Sequence, residues 1–154
     1  ARHVLKHAHQ EGWLEDTLKN AALILGAHGT LLEPPPGVDA GLKQTQDFME
    51  RLAKVLSPKF AHTTPGWLNH TIGGKWTTPD LETAVKEATA KGISKLVYYP
   101  YGFLADNAES ELEGRCILRQ FNQLETIHLP CVNTWAPFLE YLAGRILQRL
   151  KAEG

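Results

Sequence analysis

An unbroken apolar run, Ala21-Ala22-Leu23-Ile24-Leu25-Gly26-Ala27, stands between Asn20 and Gly29. It lacks the polar alternation of a half-exposed strand, so it predicts a strand buried on both faces. Ile93 to Tyr99 is a second strand, closed by Pro100, and Thr126 to Leu129 is a short third one. A further strand falls within residues 59 to 71, interrupted by Pro65-Gly66. Between these segments the repeat becomes helical. Leu42, Phe48, Met49, Leu52, Val55 and Leu56 predict an amphipathic helix over 40 to 56, ended by Pro58. Thr78-Pro79-Asp80 opens another helix, with Thr78 as cap and Pro79 in the first turn. Leu81, Ala84, Val85 and Ala88 line its buried face, and Gly92 stops it. Residues 105 to 123 read as helix. Residues 136 to 151 read as a closing helix with Phe138, Leu139, Leu142, Ile146 and Leu150 turned inward. At the other end, residues 3 to 18 read as a polar helix with apolar points at Val4, Leu5, Ala8, Trp13 and Leu14.

The order is a helix, then strand and helix alternating four times. Such alternation predicts an α/β three-layer sandwich: a four-stranded parallel sheet with helices on both faces. Ligands of these sheets bind beyond the carboxyl ends of the strands. The turns at 26 to 30, 69 to 77 and 100 to 109 stand there, so chemistry is expected in them. The loop over 30 to 40 contains Pro34-Pro35-Pro36-Gly37, which fits neither helix nor central strand. A long loop just after a buried strand is often functional.

Composition narrows the function classes. The chain of 154 residues suits one domain. With 43% hydrophobic and 21% charged residues it can form a core, which excludes a disordered chain. Sixteen basic against 17 acidic residues give a net charge of −1, so no field favours nucleic acid or an anionic membrane. Two cysteines supply neither a disulfide framework nor a four-cysteine cluster, and a reducing compartment is the default. No apolar stretch is long enough to predict a transmembrane segment. The first residue is Ala1 and the helical pattern starts at once, which predicts a domain cut from a longer chain, with residues 1 to 20 leading in from the missing part.

Three groups carry candidate chemistry. His28 directly follows the buried strand between Gly26 and Gly29, where backbone can approach a ligand closely. A neutral imidazole there can bind a metal or take a proton near pH 7, or simply hydrogen-bond the following loop. Glu109 and Glu113 are spaced to share a helix face, an arrangement that needs water or a cation, or that forms a solvated acidic face near a helix start. Asn69-His70-Thr71-Ile72-Gly73-Gly74-Lys75-Trp76 reads as a ligand wall or a plain loop. His3, His7 and His9 read as a solvated face, and Cys116 and Cys131 as small buried hydrophobes.

The order of these motifs resembles the C-terminal half of the ferrochelatase family, enzymes that insert ferrous iron into a porphyrin. Leu25-Gly26-Ala27-His28-Gly29 is similar to the family's strand ending in His-Gly. Gly73-Gly74-Lys75-Trp76-Thr77-Thr78-Pro79 resembles its Gly-Pro-x-x-Trp segment. Pro100-Tyr101-Gly102-Phe103-Leu104-Ala105-Asp106-Asn107-Ala108-Glu109 resembles its Pro-x-Gly-Phe-x-x-Asp-His-x-Glu, and Pro130-Cys131-Val132-Asn133 its Pro-Cys-Leu-Asn. The resemblance implies a chelatase-like, flavodoxin-like arrangement and a lyase. It implies that His28 and Glu109 handle pyrrole protons and metal, and that Glu113 continues a row of metal ligands. Gly29, Thr30, Asn69, His70, Trp76, Tyr101, Phe103 and Asn107 are the implied substrate contacts. Two departures stand out: Asn107 replaces the motif's histidine, and Ile117 stands where many members carry a third acid. The family enzyme is about twice this length, which implies an N-terminal chelatase domain of the same chain as the other wall of the cleft. Iron is then substrate, with no tightly bound cofactor and no iron–sulfur cluster. A cytoplasmic location follows, with or without peripheral membrane contact. The alternatives are a cobalt or nickel chelatase acting on a sirohydrochlorin-type ring, and a non-catalytic tetrapyrrole-binding domain.

Overall fold

The computed structural model describes residues 1–70 and 73–153. Four strands form one sheet: β1 (Ala21–His28), β2 (His62–Leu68), β3 (Lys95–Tyr99) and β4 (Glu125–His128). All neighbours are parallel and the order is β2-β1-β3-β4. The expected α/β class and the four-stranded parallel sheet are therefore present. β1 has a partner on either side, which is why it reads as continuously apolar: its first seven residues are all buried. Pro65 does not break β2, because β2 is an edge strand and a missing N–H costs nothing on its open side.

Alternation along β1 divides the core in two. Leu23, Leu25 and Ala27 face one cluster, with Val97, Tyr99 and Trp67 from the neighbouring strands. The cover there comes from α1 (Arg2–Gln10), α2 (Glu15–Leu18) and α3 (Leu42–Leu56), through Val4, Ala8, Leu18 and Leu56. Ile24 faces the other cluster, with Leu96 and Tyr98, covered by α4 (Leu81–Ala90) and α5 (Gly114–Leu118). Each fully buried Leu or Ile contributes about 1.5–3 kcal/mol of transfer free energy.

Several expectations are corrected. The single N-terminal helix is two, because Gly12 turns the chain at φ 81°. His3 is not on a solvated face: it is buried, donates from Nε2 to the Pro130 carbonyl at 2.9 Å, and packs against Tyr99 and Trp135. Cys116 is exposed rather than core, because it lies on the outer side of α5. The cap of α4 is Asp80, whose carboxylate accepts from Thr83 N at 2.7 Å, so Thr78 is not the cap and Pro79 precedes the helix. The expected helix over 105–123 is a π-helical turn (Ala108–Glu113) running into α5. The closing helix, α6 (Ala136–Glu153), keeps its period, but Leu139, Leu142, Ile146 and Leu150 are exposed rather than inward. The helical repeat decides which residues share a face, and a face turns inward only where the sheet offers something to cover.

Candidate functional site

β1 is followed in sequence by β2 on one side and then by β3 on the other. The chain steps from β1 to β2 on one side and then crosses back past β1 to β3 on the other, so the strand order reverses there and a crevice opens beyond the carboxyl ends of β1 and β3. His28 ends β1, and the loop after β3 carries Glu109 on the π-helical turn. Asn69 and His70 follow β2.

These segments bring three donor atoms together. His28 Nε2 lies 3.1 Å from His70 Nε2 and 3.7 Å from Glu109 Oε2. One donor atom from each of the three residues falls within 4.8 Å of the other two. His28 Nδ1 is 2.5 Å from the Gly29 carbonyl, which only accepts, so Nδ1 carries the proton and donates. With Nδ1 donating to that carbonyl, Nε2 is the ring nitrogen turned toward His70 and Glu109. Glu109 Oε2 is itself buried, with no hydrogen-bond partner among the described residues. A divalent cation placed between these donor atoms would satisfy all three groups. Two imidazoles and a carboxylate suit first-row divalent ions of borderline softness.

Backbone fit holds the trio in place. Asn107 caps the π-helical turn: its Oδ1 accepts from Glu109 N at 2.9 Å and Ser110 N at 3.1 Å, while Ser110 Oγ accepts from Asn107 N at 3.0 Å. Asn107 thus orients Glu109 through the backbone, where the motif implied a substrate contact. Asp106 joins this loop to the segment after β4, accepting from Cys131 N at 2.7 Å and from Asn133 Nδ2 at 2.7 Å. Burial alone would raise the Asp106 carboxyl; the hydrogen bonds from Cys131 and Asn133 outweigh it and hold the group below the ordinary carboxylate range. Gly29 makes room for protein as well: a Cβ there would strike the Asn69 side chain.

A cavity of about 390 Å³ adjoins His28, lined by Gly29, Thr30, Pro34, Val38 and Trp76 among others. The proline loop is thus one wall, as its position after β1 suggested. Trp76 sets its ring edge-on to His70 at 5.8 Å. Thr30 pairs with Thr77 through both backbone and side chain, and Asn69 Nδ2 donates to the Thr77 carbonyl at 2.8 Å, so both brace the rim.

Other expected contacts lie elsewhere. Tyr101 is a core residue: it is 5% exposed and its hydroxyl donates to the Thr45 carbonyl at 3.1 Å. Phe103 packs against the α4–α5 cluster. Glu113 stands outside the donor trio; its charge, with that of Glu111, bears on the buried Tyr98 phenol, which desolvation chiefly holds protonated far above the ordinary range. Within 69–76, Thr71 and Ile72 lie outside the described residues. The structure adds the mutual fit of His70 with His28 and Glu109, and the Asp106–Asn133 contact. Their signals were a histidine just past a strand end and two polar residues within the quoted motifs.

The Ferrochelatase family model matches residues 2–150. A protein named Ferrochelatase from a Nitratiruptor species is 29% identical over 99 residues, which cover 64% of this chain and 31% of that relative. The chain therefore matches about a third of the relative's length. Since the family match runs through the ends of β1, β2 and β3 and covers nearly every residue, the chain belongs to the ferrochelatase family.

Proposed function

We propose that this domain binds a divalent metal at His28, His70 and Glu109 and passes it into a tetrapyrrole: a lyase reaction, with ferrous iron entering protoporphyrin IX or coproporphyrin III in haem biosynthesis. The observation that carries the reading is the convergence of three donor atoms beside an open cavity at the sheet's switch point. Metallation exchanges one dication for two pyrrole protons. While the metal is held, its ligands' lone pairs are occupied. As it leaves for the ring nitrogens, the His28 Nε2 and the Glu109 carboxylate become free to take those two protons and release them to water. Nitrogen and oxygen donors suit this, because thiolates would retain the metal. Glu113 extends the acidic path behind Glu109, and Trp76, Gly29 and Thr30 border the ring. An N-terminal chelatase domain of the same chain supplies the opposite wall. Iron is substrate here, with no resident cofactor or iron–sulfur cluster. The setting is cytoplasmic, peripheral to a membrane where the porphyrin is delivered from one; no described helix is long and apolar enough to cross one.

A second reading rests on His70. Two imidazoles around one metal point also suit cobalt or nickel entering a sirohydrochlorin-type ring. Porphyrin absorption followed anaerobically after adding ferrous iron or zinc separates the readings, with His28→Ala as the control. His28-dependent conversion supports porphyrin metallation. Conversion only with cobalt or nickel and sirohydrochlorin supports the second reading. Ring binding without conversion refutes both and leaves a tetrapyrrole-binding domain.

A further inference from the structure

Glu109 sits on the π-helical turn after β3 rather than on a strand, and its carboxylate must meet His28 to within a few tenths of an ångström if the two share a metal. We propose that Asp106 and Asn133 form a clasp that positions Glu109, making both positioning residues for the metal site. This rests on the reading of the trio as a metal site.

The clasp is reciprocal. Asp106 N donates to Asn133 Oδ1 at 2.9 Å, and Asn133 Nδ2 donates back to Asp106 Oδ2 at 2.7 Å. Asp106 Oδ1 takes Cys131 N at 2.7 Å, and Asn133 N donates to the Leu104 carbonyl at 3.0 Å. Asn133 holds φ 45°, a left-handed conformation that asparagine tolerates better than most side chains. The anchoring segment is itself fixed, because the Pro130 carbonyl accepts from buried His3 on α1. Asp106 immediately precedes Asn107, whose Oδ1 accepts from the Glu109 and Ser110 amides. Hydrogen bonds joined by the Pro130–Cys131 and Asp106–Asn107 peptide links therefore lead from α1 through the segment after β4 to the Glu109 backbone. Neither Asp106 nor Asn133 belongs to the donor trio, so they act through the loop.

The reciprocal pattern can be inverted. Asp106→Asn alone sets two amide donors face to face, and Asn133→Asp alone sets two carboxylates face to face. The double variant D106N/N133D has a donor and an acceptor at every contact again. Asn133→Gly keeps the left-handed backbone and removes only the clasp, which guards against a single variant that fails to fold. Two readouts on this chain are used: Co²⁺ affinity by visible absorption, and hydrogen exchange at the Glu109 and Ser110 amides. The three single variants are expected to lose about tenfold or more in Co²⁺ affinity and to exchange faster at those two amides. The double variant should recover both. Parent-like Co²⁺ affinity and exchange in D106N and N133G, or a double variant no better than its parents, would overturn the clasp. Hydrogen exchange needs no metal, so a parent chain that fails to bind Co²⁺ refutes the metal-site reading while the clasp is still judged on the amides.

Discussion

Replacing Gly102 by alanine should separate the two halves of the donor trio. Gly102 lies against β1: a Cβ there would stand 2.6 Å from Ala27 Cβ and 2.8 Å from Ala27 Cα. Ordinary carbon–carbon contact is about 3.5–4.0 Å, so roughly 1 Å must open. Ala27 cannot give way, because β1 is buried and held by β2 and β3. The loop carrying Glu109 must move instead, stretching the 3.1 Å bond from Gly102 N to the Gly26 carbonyl. Overpacking of this kind costs about 1–3 kcal/mol. Weakening the hydrogen bond adds about 1 kcal/mol. For a chain of this size the sum corresponds to a fall in Tm of about 5–15 °C. Calorimetry of Gly102→Ala beside Gly73→Ala measures it; a Cβ at Gly73 meets nothing within 4 Å and should shift Tm by no more than about 2 °C. Zinc affinity should fall in the first variant and hold in the second. A Gly102→Ala protein that melts with the Gly73→Ala control would refute the argument from packing.

Two other outcomes are expected. Burial, followed by the neighbouring charges of His7, the N-terminus and Lys6, lowers the His3 imidazole, while its bond to Pro130 opposes the shift. Because the unfolded chain then takes the proton first, stability is complete above about pH 6.5 and falls as pH drops through the folded value. Urea unfolding at about pH 7.5 and pH 5 should show that loss, and His3→Gln, which can still donate to Pro130, should reduce it; an unchanged slope would count against a buried neutral His3. Cys116 is exposed, whereas burial chiefly pushes the Cys131 thiol up to about 12, so a thiol reagent should label one cysteine quickly in the native protein and the second only in denaturant. Two fast thiols would contradict the packing of Cys131.

The sheet was legible because each strand carries its burial in its own residues. The apolar run of β1 named its central place, and helix–strand alternation named the parallel topology. His28 and Glu109 were legible as members of motifs at strand ends. Other features depend on contacts distant in sequence. His3 looks like its exposed neighbours until the Pro130 segment closes over it. Leu139 and Ile146 carry a helical period that does not say whether anything packs on it. Asp80 takes the cap that Thr78-Pro79 suggested, because its carboxylate is the one that reaches Thr83 N. The π-helical turn has no periodicity of its own to read. Tyr101 sits in a site motif yet points into the core, because its hydroxyl finds the Thr45 carbonyl there.

The sheet's connectivity also sets the order in which the site can form. Every strand pair joins segments far apart along the chain: Ala22 pairs with His62, Lys95 with Glu125, and Ala21 with Lys95 across the longest gap. Loop-closure entropy makes such non-local pairings slow to form, and slowest where the intervening chain is longest. His28 and Glu109 are carried by β1 and by the loop after β3, the two sides of that longest pairing. An intermediate with only β1 and β2 docked would hold His28 and His70 without the carboxylate. Affinity for a dication would then report the last strand to close, and a bound ion would pull the folding equilibrium toward the complete sheet.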